Sequence, residues 1–230
     1  MQHKRTFSIV LAFLFGGASL GLSQTVYSKD GNVYFVAREG QVTGVTNLGL
    51  DLDPSLSNDG RLVVFVRRTP SLKIQTALGK PTDRNELWVA DTLGKEPARR
   101  VLAGYPAGQG LSLYQVTSDV KLDLAGFSSP QFSPDAKRIY FMGEAWATSL
   151  PAFVLDLSTG RVEFLYNGRS IEVIRSGRYA GFLIAEKQIP RVVAGRVFRY
   201  WLLDPNGKDV GEIGVTKAEL SEFRGRVGDP

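Results

Sequence analysis

Gln131-Phe132-Ser133-Pro134-Asp135-Ala136-Lys137-Arg138-Ile139-Tyr140-Phe141-Met142 reads as a tight turn feeding a strand of alternating apolar residues. The stretch recurs. An earlier copy is Ser57-Asn58-Asp59-Gly60-Arg61-Leu62-Val63-Val64-Phe65-Val66, and a worn one is Ser176-Gly177-Arg178-Tyr179-Ala180-Gly181-Phe182-Leu183. Around each copy the same order of strand patterns appears. The first unit has strands at 51–56, 61–68, 86–91 and 98–102; the second at 129–132, 138–142, 152–157 and 161–165; the third at 171–174, 179–185, 197–203 and 209–213. Before them, 32–38 and 41–46 form a hairpin pattern joined at Glu39-Gly40. Such repetition reports architecture more directly than chemistry.

The last two copies lie about 42 residues apart, within the roughly 40–50 residue period of propeller blades. The first two are separated by 76 positions, so about 34 residues are inserted between them. The insertions fall at 69–85, between second and third strands, and at 103–126, between units. In a propeller both kinds of connection open on one face, as do the links at 144–151 and 186–195. One face is therefore expected to be elaborated and the other trimmed, and raised loops on a rigid scaffold are where binding resides. Within the second insertion, 111–116 and 120–124 fit either an extra hairpin or an ordered loop. Residues 216–223 read as a frayed helical turn.

Composition agrees with an all-β domain. Hydrophobic residues make up 43% of the 230, with 13 Phe, 8 Tyr, 25 Gly and 11 Pro, which favours short pleated strands between turns. Residues 1–23 stand apart. His3, Lys4 and Arg5 precede an apolar run over 7–15, and Gly21 and Ser23 suit a cleavage before Gln24, the pattern of a secretory signal peptide. The alternative, an uncleaved anchor helix, has a shorter apolar run than the roughly 20 residues of a membrane span. Later segments contain no such run. Lys4 and Arg5 belong to the leader, which leaves 26 basic against 23 acidic residues and a net charge of +3. This mild excess is solvated surface charge and predicts no nucleic-acid partner. A periplasmic or secreted location is expected.

There is no cysteine, and the only histidine is His3. The expected mature chain thus lacks disulfides, a lipid-modified cysteine, Ser-His-Asp or Cys-His catalysis, and zinc or copper sites ligated by His or Cys. Gly17-Ala18-Ser19-Leu20-Gly21 matches the nucleophile-elbow spacing, but it lies in the leader with no preceding strand. Asp51, Asp53, Asn58 and Asp59 miss the EF-hand order, because Pro54 interrupts them and no glutamate closes the loop. They read as turn caps. No metal and no cofactor are expected.

Residues 132–141 and 56–65 resemble the S-P-D-G-(K/R)-x-(I/L)-x-(F/Y) repeat of TolB-type, WD40-like propellers. Glu86-Leu87-Trp88-Val89-Ala90-Asp91 and Phe153-Val154-Leu155-Asp156-Leu157-Ser158 resemble that family's third strand. Ala136 stands in place of the repeat's glycine in one copy, and Asn58 in place of its proline in another. The resemblance covers about 25–215 and implies a small β-propeller of about four four-stranded antiparallel blades, complete or incomplete, with the N-terminal hairpin in a partial blade. The chain then divides into a signal peptide at 1–23, a propeller at 24–217 and a short tail at 218–230. The α/β domain of TolB and the hydrolase domain of prolyl oligopeptidase relatives have no counterpart, so neither activity transfers to a residue here.

The elaborated face is expected to carry Arg67, Arg68, Lys73, Arg84, Glu144, Trp146, Lys187 and Arg191. A basic rim with an exposed aromatic suits an acidic envelope protein or another anionic ligand. The leading expectation is a non-catalytic binding or scaffolding module. The alternative is a carbohydrate-active enzyme that uses carboxylates alone, for which Asp51, Asp53, Glu144 and Asp156 are the candidates. Trp88 and Trp201 lie in strands and read as core.

Overall fold

The turns at Ser57 and Ser133 are held by the same bonds. Ser57 Oγ accepts the Leu62 N–H at 2.9 Å and donates to Asp59 Oδ1 at 2.6 Å, which in turn accepts the Arg61 N–H at 3.1 Å. In the second copy Ser133 Oγ accepts from Arg138 N at 3.0 Å and donates to Asp135 Oδ1 at 2.6 Å, which accepts from Lys137 N at 3.2 Å. The serine hydroxyls, as the largest influence, hold both carboxyls below the usual Asp range. Each turn then needs a left-handed residue, supplied by Gly60 at φ 72° and by Ala136 at φ 55°. Ala136 pays a steric cost there that glycine does not. Ala136→Gly is accordingly expected to stabilise the protein by about 0.5–1 kcal/mol in urea denaturation. A loss of stability would mean that the Ala136 methyl packs well enough to outweigh its strain.

A computed structural model of the chain describes residues 23–75, 81–104, 111–112, 121–122, 126–144, 150–189 and 197–227. Strands β1 (Thr25–Lys29), β2 (Asn32–Val36) and β3 (Val42–Gly44) form an antiparallel sheet in sequence order. A second sheet holds β4 (Asp51–Leu56), β5 (Leu62–Gln75), β6 (Pro81–Asp91) and β7 (Arg99–Leu102). The short β8 (Leu111–Ser112) and β9 (Lys121–Leu122) pair with each other, and the rest of the hairpin or loop pattern at 111–116 and 120–124 lies outside the described residues. The third sheet runs β10 (Gly126–Phe132), β11 (Arg138–Glu144), β12 (Leu150–Asp156), β13 (Val162–Val173), β14 (Leu183–Ile189), β15 (Val197–Leu203) and β16 (Asp209–Gly214). Helix α1 (Lys217–Val227) ends the described chain. It is too short to cross a membrane.

The seven-stranded sheet is two blades sharing one strand. The first part of β13 pairs with β12, the register shifts between Gly168 and Ser170, and the second part pairs with β14. The chain is therefore an incomplete β-propeller with three four-stranded blades, β4–β7, β10–β13 and β13–β16, and one three-stranded blade, β1–β3. Among the described residues the partial blade has no inner strand. Gln24, just before β1, packs on Gly60 beyond the end of β4, while at the far end of β1 the Gly31 carbonyl accepts the Asp51 N–H at 2.7 Å. β1 thus runs opposite to β4, as a second strand does, and β1–β3 match the second to fourth strands of a blade. β1 at Thr25–Lys29 precedes the strand pattern expected from residue 32.

Period-two alternation places each middle blade between two neighbours. From the second blade, Val63, Phe65 and Ala90 face Val33 of the first, while Val64, Val66, Leu87 and Val89 face Phe127, Ile139, Phe141 and Phe153 of the third. Tyr140, Met142, Ala152 and Val154 on the other side of the third blade meet Ile171, Val173, Leu183 and Leu203 of the fourth. Burial of both faces explains why these strands are nearly continuous in apolar residues. Helix α1 covers the last exposed face, setting Leu220 and Phe223 on Ile174, Ile184 and Leu202. A capping box starts it: Thr216 Oγ1 accepts from Glu219 N at 3.2 Å, and Glu219 Oε2 accepts from Thr216 N at 2.8 Å. A frayed turn is the sequence expectation here, and the structure instead has 11 helical residues.

Polar side chains fix one blade to the next. Asn85 exchanges bonds with Phe127, donating to its carbonyl at 3.1 Å and accepting from its N–H at 2.6 Å. Gln131 does the same across the next junction, with Ile171 O at 2.8 Å and Val173 N at 3.0 Å. Asp53, itself at φ 53°, accepts from the Ser129 N–H. Tyr140 Oη donates to Pro205 O at 2.9 Å, and burial pushes that phenol's pKa up.

Candidate functional site

Two hairpins rise beyond the blades on one end of the molecule. β4 pairs with β5 only between Leu56↔Val63 and Asp51↔Arg67, whereas β5 and β6 continue to pair as far as Gln75↔Pro81. In the fourth blade β14 and β15 likewise pair out to Ile189↔Val197 after β13 has left off at Gly168↔Lys187. The opposite end is closed by short capped turns at 57–61, 133–137, 157–161 and 204–208. The asymmetry read from loop lengths is thus an asymmetry of strand lengths.

Among the described side chains, Arg67, Arg68, Arg84 and Lys187 of the predicted rim do not converge on one point. Arg67 is largely buried and grips the fully buried Asp51 with two bonds, Nε to Oδ1 at 2.6 Å and Nη2 to Oδ2 at 2.8 Å. Its guanidinium also lies 4.2 Å from the Trp88 ring centroid. Trp88 Nε1 donates to Glu86 Oε2 at 3.0 Å, and Arg100 binds the other oxygen of Glu86 at 2.9 Å. Arg67 is therefore committed to an internal network, and Trp88 is half-buried against the first blade. Lys187 is paired with Asp209 and lies 5.3 Å from the Trp201 ring, on a different blade from Arg67. Trp201 packs against the core between third and fourth blades.

Arg68 is exposed beside Arg67, its backbone N–H bonded to Leu50 O at 2.9 Å. The Arg84 carbonyl accepts from Thr69 Oγ1 at 2.7 Å, and its Nε is buried with no hydrogen-bond partner among the described residues. Lys73 lies opposite Asp83 in the raised hairpin, and Glu144 ends β11 opposite Gly126. Trp146 and Arg191 fall outside the described residues. Arg68 and Arg84 thus stand together at the root of the β5–β6 hairpin.

Three of the four carboxylates of the catalytic alternative, Asp51, Asp53 and Asp156, are engaged separately. Asp51 is held by Arg67, and Asp53 by the Ser129 N–H. Asp156 lies at the opposite end from Asp51, where it accepts the Ser158 N–H and Thr159 N–H, each at 2.9 Å, and both hydroxyls, at 2.6 and 3.0 Å. Those bonds, led by the Ser158 hydroxyl, hold its pKa down at about 2. A hydrolase acid must keep its proton near neutral pH, so Asp156 is suited to capping and not to that task.

One feature of the trimmed end has no counterpart in the sequence reading. A cavity of about 480 Å³ opens between the first, second and fourth blades, lined by Gln24, Arg38, Leu56, Ser57, Asn58 and Arg175. Arg175, just past β13, spans to the second blade by donating to Leu56 O at 2.8 Å and Ser55 Oγ at 3.0 Å. Asn58 Nδ2 returns a bond to Arg175 O at 2.9 Å. Asn58 occupies the place of the repeat's proline, and that departure was the available signal.

No family model matches the chain, and no curated protein matches it. Among solved structures it is similar to dipeptidyl peptidase 4 of Porphyromonas gingivalis, at 11% identity and a TM-score of 0.49 over 84% of this chain and 31% of that one. It is also similar to the β-propeller domain of the trilobed protease from Pyrococcus furiosus, described as having an open velcro topology, at 13% identity and a TM-score of 0.49 over 80% and 49% of the two chains. A putative TolB from Agrobacterium tumefaciens aligns at 14% identity and a TM-score of 0.37 over 84% and 79%. The chain spans about a third to a half of the length of the first two.

Proposed function

We propose that this is an exported, non-catalytic β-propeller that binds a protein or anionic ligand of the cell envelope and acts there as a scaffold. The reading is supported above all by the two hairpins raised on one end, against short capped turns on the other. Long hairpins on a rigid stack of blades provide reach and position without moving the core. Arg68 and Arg84 give the base of the β5–β6 hairpin a positive charge that favours an acidic partner. Export is supported by the leader pattern over 1–23, and the proposal takes the mature chain to start at Gln24.

The test is site-resolved crosslinking in the native envelope. A photoreactive residue at Arg68 is expected to capture one discrete partner, and one at Ser158 in the trimmed end is expected not to. Arg84→Gln should weaken the capture from position 68, and a circular dichroism melt of the variant checks that the fold is kept. Equal capture from both ends, or a turnover activity lost on replacing Asp53 and Glu144 by their amides, would replace this reading with another.

A further inference from the structure

Arg67, Arg199 and Arg224 each face a carboxylate, of Asp51, Glu212 and Glu172. The cavity on the trimmed end departs from that pattern. Two arginines from different blades line it, Arg38 of the first and Arg175 of the fourth, and its described lining contains no carboxylate. Arg175 is half-buried and fixed by its two terminal nitrogens on Leu56 O and Ser55 Oγ, which leaves Nε with no partner among the described residues. Arg38 is exposed on the β2–β3 turn, where Ala37 N donates to Gln41 O at 2.8 Å and Gly40 N to Ala37 O at 2.9 Å. Its side chain makes no bond among the described residues. Two amides complete the polar lining: Asn58, whose Nδ2 is bonded to Arg175 O, and Gln24, which lies over Gly60. The acid of the adjoining turn, Asp59, is taken by the Ser57 hydroxyl and the Arg61 N–H.

We infer that this cavity is a binding site for a small organic anion, whose carboxylate or phosphate head lies between Arg38 and Arg175. Two guanidiniums held on separate blades around one cavity repel each other, and an oxyanion offsets that repulsion while accepting charge-assisted bonds from both. The volume of about 480 Å³ falls within the range of small-molecule sites and exceeds what a bare oxyanion fills. The ligand therefore carries an organic body, for which Gln24 and Asn58 supply polar contacts and Leu56 an apolar one. Held this way, it ties the first blade to the fourth, which no strand joins among the described residues. The site is separate from the raised hairpins at the other end of the molecule, and its occupant is a small molecule instead of a protein surface.

NMR of the arginine Nε–H signals reads the site directly. In the full chain the probes are inorganic phosphate and succinate, each titrated against chloride at equal ionic strength. The Arg38 and Arg175 signals are expected to shift together and to saturate with a Kd below about 1 mM for at least one probe, and the tighter probe identifies the head group. Arg38→Gln should weaken that binding at least about tenfold, the loss expected of one charge-assisted contact. Asn58→Asp should weaken it as much, because the new carboxylate then occupies the arginines itself. Arg161→Gln is the control. It lies in a second, smaller cavity of the trimmed end, where Asp156 and Glu163 accompany Arg138 and Arg161, and it should leave the affinity unchanged. Circular dichroism melts separate loss of binding from loss of fold, since Arg38 and Asn58 lie outside every apolar cluster. An equal response to chloride, no saturable shift with either probe, or an affinity indifferent to Arg38→Gln and Asn58→Asp would overturn the proposal.

Discussion

Asp51→Asn is expected to cost about 3–5 kcal/mol of folding stability in urea denaturation. The carboxylate is fully buried and meets Arg67 through two bonds, while the guanidinium itself is only 11% exposed. An amide keeps the volume but removes the charge, which leaves the Arg67 cation desolvated with one neutral acceptor and the Trp88 ring face. Removing both partners as Asp51→Leu with Arg67→Met should cost much less than the single change, because no charge is then stranded. Arg100→Ala supplies the internal control. Arg100 is 55% exposed and its bond to Glu86 is screened, so it should cost no more than about 1 kcal/mol. An Asp51→Asn loss under 1 kcal/mol would mean that water reaches the pair and that Arg67 is free to serve a ligand.

Gly168→Ala is expected to cost about 3 kcal/mol and to separate the unfolding of the fourth blade from that of the third. A Cβ at this position would lie 2.2 Å from the Glu186 carbonyl oxygen and 2.9 Å from the Tyr166 ring. Backbone cannot yield there, since Gly168 is opposite Leu150 on one side and Lys187 on the other, at the register shift where β13 passes between blades. Calorimetry reads the result. The unaltered chain should melt in one transition and the variant in two, and a single transition with an unchanged midpoint would show that the shared strand does not couple the blades.

The fold was legible where side chains cap turns locally. Ser57 with Asp59 and Ser133 with Asp135 write their bonds into three consecutive residues, and the strands that follow inherit their register. β1 escaped because its turn is different. Asp30 and Gly31 form a two-residue hairpin with φ of 51° and 72°, so the flanking sequence does not repeat the longer capped turn. Helix α1 escaped because few of its residues, Leu220 and Val227 among them, are buried, which leaves little apolar periodicity, although the Thr216–Glu219 box was there to be read.

The site was less legible for a physical reason. A cation's role depends on what faces it, and Arg67 meets Asp51 across 16 positions while Lys187 meets Asp209 across 22. Charge counted along the chain therefore overstates the free charge on the surface. Asn58 and Arg175 form their contact across 117 positions, which no local pattern encodes beyond the proline that Asn58 replaces.

The shared strand β13 gives the molecule an uneven mechanical character. The third and fourth blades are sewn into one continuous sheet, with the helix behind them, whereas the first blade meets the second through Val33, the Gly31–Asp51 bond and the packing of Gln24 on Gly60. A load carried in at the amino-terminal end would peel that blade before it strained the rest. A load taken up at the β14–β15 hairpin would be distributed through β13 into both blades at once. If the two raised hairpins bind one partner, the β14–β15 hairpin is the stiff handle and the β5–β6 hairpin, nearer the loosely held blade, is the compliant one.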